Sequence, residues 1–211
     1  GRARRVMIRL ALVVLAACGG PRPGAPVAPL VEGIAISIYS HADRSYGVVD
    51  DRRWVTVTGG SIVLDRIEPE AALESLVIEP IAIERCVRER SDRDSPPPGV
   101  LSPLVRCRVR ADPGRYLVRV LYVDPALGFA TRHHLAITAP ARATLSTRFS
   151  IVTPPWQSRG DVYLFAGLPG GDQPVREVAR GRVLLDGTTA LLATPRQEIS
   201  SRLRAVFDGA V

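Results

Sequence analysis

The chain contains no lysine and no asparagine. Its 28 basic residues are therefore all arginine, set against 21 acids for a net charge of +7. Both missing residues have A/T-rich codons, so a G+C-rich genome accounts for the arginine content better than phosphate recognition does. Aromatic residues are only 5% of the chain. A nucleic-acid surface needs a basic stripe with interleaved aromatics. Here acids are scattered among the arginines, and no nucleic-acid partner is expected. Cysteines number three, Cys18, Cys86 and Cys107, with no CxxC or HxxxH spacing. No metal and no cofactor are therefore expected.

The one conspicuous apolar run, Ile8 to Ala17, falls short of the roughly 20 residues of a membrane-spanning helix. Arg2, Arg4, Arg5 and Arg9 supply the positive n-region, and Leu15-Ala16-Ala17-Cys18 closes the run. This is the pattern of a bacterial lipoprotein signal. Residues 1–17 are expected to be removed, leaving Cys18 as the lipidated first residue of the mature protein. Arg4-Arg5 before Val6-Met7-Ile8 also resembles a twin-arginine signal. Gly19 at the second mature position is not the aspartate that retains lipoproteins in the inner membrane. The expected location is therefore the outer membrane, facing the periplasm, with the lipid as the membrane contact. Residues 18–32 then form a Pro/Gly-rich tether. The excised segment carries four arginines and no acid, so the mature 194 residues have a net charge of +3. That is too modest to imply a polyanion partner.

An oxidising compartment suits the remaining cysteine pair. Cys86 and Cys107 each lie in a strand-like run, on either side of a charged, Pro-rich loop. A disulfide between them would stabilise by about 3 kcal/mol through loop closure; the alternative is two unpaired thiols.

Short runs rich in Val, Ile, Leu and Tyr, broken by Gly, Pro and Asp about every 8–12 residues, predict an all-β fold. The architecture is an antiparallel β-sandwich, as one body or as two small packed lobes. Twelve strands are expected, among them Ile34–Tyr39, Trp54–Val57, Leu104–Arg110, Tyr116–Val123 and Asp161–Phe165. An N-terminal β lobe would cover 33–90, a Pro-rich loop 91–103 and a C-terminal β lobe 104–193. Residues 194–208 read as a short amphipathic helix. Thr194 is its N-cap, Pro195 its first residue, and Ile199, Leu203, Val206 and Phe207 share a face.

Candidate chemistry is sparse. His133 and His134 are adjacent on a strand, so they point to opposite faces and do not share a metal. His41 lies near Ser40, Asp43 and Ser45, which are triad residue types, but no GxSxG elbow accompanies them. Asp50-Asp51, with Asp43, would have to gather about six oxygen ligands to hold Ca²⁺; a solvated turn is the simpler reading. Trp54, in an alternating strand, is expected in the core. Trp156, which follows Pro154-Pro155, is the candidate ligand contact.

Two stretches carry a resemblance. Tyr116 to Val123, then Ala126-Leu127-Gly128-Phe129 and the strand to Ile137, is similar to a block of the mucoidy-inhibitor-like envelope proteins. Thr147 to Pro169, with Trp156 and Asp161-Val162, is similar to the next block. Val63-Leu64 to Ile78 echoes the first of that family's two linked domains (DUF4140 and DUF4139). The match covers about half the chain. The long coiled coil between the family's domains is replaced here by the loop Arg88–Pro103. The resemblance implies a β-rich envelope protein and transfers no catalytic residue.

The expected function is thus a lipid-anchored, non-enzymatic cell-envelope module that contacts an envelope protein or a glycan. The alternative is an envelope-anchored hydrolase or metalloenzyme using His41 or His133/His134.

Overall fold

The computed structural model describes residues 31–42, 44–89, 104–139 and 142–200. Cys18, the tether up to residue 30 and loop 91–103 lie outside the described residues. Thirteen strands are present and no helix among the described residues. They are β1 (Gly33–His41), β2 (Arg44–Val57), β3 (Ser61–Leu64), β4 (Ala72–Glu79), β5 (Ala82–Glu89), β6 (Leu104–Arg110) and β7 (Gly114–Asp124). The chain continues with β8 (Phe129–Ala139), β9 (Arg142–Val152), β10 (Ser158–Ala166), β11 (Arg176–Leu185), β12 (Thr189–Ala193) and β13 (Gln197–Ser200).

Period-2 alternation explains why these segments are strands. β6 is the clearest case: Val105, Cys107 and Val109 are buried, while Arg106, Arg108 and Arg110 are exposed. β2 is the longest, at 14 residues, and includes Asp50-Asp51-Arg52-Arg53. Asp50-Asp51 read as a turn in the sequence, yet all four charges obey the strand period. Asp51 and Arg53 point inward between Val49 and Val55, and Asp50 and Arg52 point outward.

The strands form three sheets. The largest has the order β11-β10-β1-β2-β7-β4, antiparallel except for the parallel pair β1–β10. A three-stranded sheet has the order β3-β6-β5. The third sheet is built around β9. β8 runs along one edge of β9, while β12 and β13 pair with opposite ends of its other edge. One hydrophobic core draws on all three sheets, including Ile36 and Val118 from the first, Leu64 and Val105 from the second, and Phe149 and Ile151 from the third. The third sheet packs closely on the first. A Cβ on Gly181 of β11 would come within 2.6 Å of the Leu192 side chain of β12.

Two expectations are revised. The large sheet takes β1, β2 and β4 from before the Pro-rich loop and β7, β10 and β11 from after it, and β6 sits between β3 and β5. The boundary at 91–103 thus divides the sequence but not the sheets. The predicted helix 194–208 is not seen where it can be checked. Gln197–Ser200 pair as strand β13 with Arg142–Leu145 of β9. Filling an open sheet edge outweighs local capping propensity. Residues 201–208 lie outside the described residues.

Candidate functional site

The predicted disulfide is present. Cys86 of β5 and Cys107 of β6 are direct cross-strand partners and are bonded to each other. Cys107 is fully buried in the core, and the bridge joins the two neighbouring strands β5 and β6 of the three-stranded sheet.

The two tryptophans exchange their expected places. Trp156 is 6% exposed, and its indole Nε1 donates to Glu68 Oε1 at 2.7 Å. Burial pushes the Glu68 carboxyl up, and this hydrogen bond offsets only part of the effect. Trp156 therefore clamps the segment after β3 against the β9–β10 connection and offers no platform to a ligand. Pro154-Pro155 misled the reading because this connection runs inward: Thr153 and Pro154 are buried beside it. Trp54 is instead 44% exposed, with the Arg115 guanidinium 4.7 Å from its ring centre. Alternation in β2 was legible, but its phase was set by Val55 and Val57, which face the core.

The histidines are not brought together. His41 ends β1 in the large sheet, while His133 and His134 lie on β8. The His133 ring Nδ1 is 3.0 Å from Thr147 Oγ1 across the β8–β9 pair. No acid is hydrogen-bonded to that ring among the described residues. No cluster of three His, Cys, Asp or Glu side chains able to hold a metal occurs among them either.

Asp50 and Asp51 are not a cation site. On the outer face Asp50 accepts two hydrogen bonds from Arg119, from Nε at 3.1 Å and Nη2 at 2.9 Å, and one from Arg52. Burial raises the Asp50 carboxyl, but the two arginines outweigh it and hold it below its ordinary value. Asp51, 1% exposed, has Arg53 Nε at 3.3 Å and Arg66 Nε at 3.9 Å. Here burial dominates and pushes the carboxyl up, with the arginines offsetting part of it. Arg53 also reaches Asp65 at 2.6 Å.

Similar pairing recurs on β6, while Arg88 of β5 donates to backbone carbonyls and Arg115 of β7 stacks on Trp54. Arg106 pairs with Glu89, and Arg108 and Arg110 share Glu84. The third sheet departs from this pairing. On one face β8 presents Arg132 and His134 directly opposite Arg148 and Ser146 of β9. Arg196, just before β13, joins them around a cleft of about 610 Å³ floored by Thr144 and Ser146. Arg132, Arg148 and Arg196 make no ion pair among the described residues. The only acid on β8, β9, β12 and β13 is Glu198, opposite Thr144. The sequence did hold a signal for this cluster: no acid occurs from Pro125 to Gly160.

The same sheet carries a second feature. β8 is an eleven-residue edge strand, paired with β9 alone among the described strands. Leu135 and Ile137 on it are 55% and 61% exposed, with Ile199 of β13 in the same row as Ile137.

Comparison with protein-family models, with curated proteins and with solved structures finds no match to this chain.

Proposed function

We propose that this protein is a non-enzymatic interaction module of the bacterial cell envelope, held to the outer membrane by lipid on Cys18 and facing the periplasm. Its partner is an envelope protein that adds an extended segment to the free edge of β8. The edge carries this reading. A long strand with unpaired backbone groups is a template for another chain, and proteins without a use for it shorten it, cover it or charge it. Here it spans eleven residues and displays Leu135 and Ile137 to solvent. Leu135, Ile137 and Ile199 share one face of the sheet, where an added strand would cover the first two. The Leu15-Ala16-Ala17-Cys18 motif and the Cys86–Cys107 bridge support an exported, oxidised setting.

The test is crosslinking in intact cells with a membrane-impermeant reagent, comparing the wild type with Leu135→Lys/Ile137→Lys. Both positions are exposed, so the variant should fold normally. The wild type should trap a protein partner, and the variant should lose trapping by about tenfold or more. A partner captured equally by both, or by neither, overturns the reading.

A further inference from the structure

We infer that the arginine-lined cleft of the third sheet is a binding site for phosphate groups, on the face of β8 opposite Leu135 and Ile137 and independent of the lipid anchor. Arg132 and Arg148 are direct cross-strand partners on an exposed face. Like charges placed opposite each other in a sheet are unfavourable, and neither guanidinium has an acid to offset the repulsion among the described residues. Arg196 adds a third cation from a different segment, and His134 adds a ring beside Arg132. Such an arrangement works against folding, and departures of this kind concentrate at functional positions.

The composition of the chain does not explain this. Among the described residues, an arginine-rich genome leaves arginines such as Arg115 without an acid elsewhere too, but the other directly opposed pairs, Arg52–Arg119 and Arg85–Arg108, have Asp50 and Glu84 beside them. Here no acid faces Arg132 or Arg148, and Glu198, the one acid of these strands, lies in the Thr144 row without pairing.

The geometry of the cations selects the ligand class. A single carboxylate is satisfied by one guanidinium fork. A phosphate carries close to two charges and three or more acceptor oxygens, so it can take forks from several directions at once. Three arginines from three chain segments, with the hydroxyls of Thr144 and Ser146 between them, match that demand. No phenylalanine, tyrosine or tryptophan lines the cleft, so it lacks the large aromatic platforms that single-stranded nucleic-acid sites use. The phosphate belongs either to a small soluble molecule or to a lipid headgroup; a monoester brings close to two charges and three free oxygens to these forks, a diester headgroup one charge and two.

The thermal unfolding midpoint of the full chain in neutral detergent micelles tests the site. One arm adds inorganic phosphate and another dopes the micelles with phosphatidylglycerol, each against chloride at matched ionic strength. Succinate serves as the carboxylate control. A ligand that binds only the folded chain raises the midpoint with its concentration. The wild type should respond to phosphate or to phosphatidylglycerol more strongly than to succinate. Arg132→Gln/Arg148→Gln should lose that response, with affinity down by about tenfold or more. A response to phosphate identifies a soluble source, and one to phosphatidylglycerol alone identifies a headgroup. An equal response to succinate, no response in either arm, or an unchanged response in the variant overturns the inference.

Discussion

Arg53 and Arg148 are the same residue in two regions of one β fold, and their surroundings are opposite. Arg53 lies inside the large sheet, against Asp51 and within 2.6 Å of Asp65. Arg148 lies exposed on the third sheet, opposite Arg132, with no acid partner among the described residues. The first arrangement offsets part of the cost of charges that folding has desolvated. The second leaves a repulsion that folding would be better without. A count of arginines treats the two alike; register and burial separate them, and only the second kind is free to receive a ligand.

The largest way to break this contrast is to remove each arginine in turn. Arg53→Ala leaves Asp51 buried with only the Arg66 guanidinium, at 3.9 Å, still beside it. Breaking a buried pair in this way should cost about 3–5 kcal/mol in urea denaturation. Arg132→Ala, on the exposed face, should change stability by no more than about 0.5 kcal/mol. Equal losses at the two positions would erase the distinction.

The neighbours Asp50 and Asp51 sharpen it through pH. The folded state holds Asp50 below the ordinary value of 3.8, so its contribution is present above that value and is lost as pH falls through the lowered native one. Burial raises Asp51, so its contribution is present below 3.8 and is lost as pH rises through the raised native value. Relative to the wild type, Asp50→Asn should therefore worsen as pH climbs to about 3.8. Asp51→Asn should improve, relative to the wild type, as pH climbs beyond it. Denaturation series across that range should show slopes of opposite sign. A common slope would mean that the two carboxyls do not occupy different environments.

Much of the fold was legible because strand formation is written in period 2. β6 and β7 could be read directly, and the Cys86–Cys107 bridge followed from two alternating runs flanking a loop. Reading failed where charge obeyed the same period. Asp50-Asp51 looked like a turn because two acids in succession resemble solvent-facing chain, whereas Asp51 pairs with Arg53 inside the sheet. Alternation also leaves its phase open, and so Trp54 was expected in the core although it faces out. The sheet order was out of reach, since the parallel contact of β1 with β10 joins Ala35 to Asp161 and no local pattern announces it.

The candidate site was the least legible part. Arg132, Arg148 and Arg196 are far apart in the chain and meet only through the β8–β9 register and the placement of the segment before β13. The acid-free stretch from Pro125 to Gly160 was the available hint. It says that arginines there go unanswered locally, but not that they face one another.

The smallest effect is also the most direct test. Arg148→Thr and Arg119→Thr both replace a surface arginine on a strand with a residue that strands accept well. Their stabilities should be measured side by side in low salt and in about 1 M salt, where screening shortens to about 3 Å. Loss of the two-pronged Arg119–Asp50 pair should cost about 1 kcal/mol. Loss of Arg148 should raise stability in low salt by a few tenths of a kcal/mol, and the gain should vanish in high salt. If Arg148→Thr is instead destabilising in low salt, the third-sheet arginines serve the fold, and the claim that they stand ready for a ligand is contradicted.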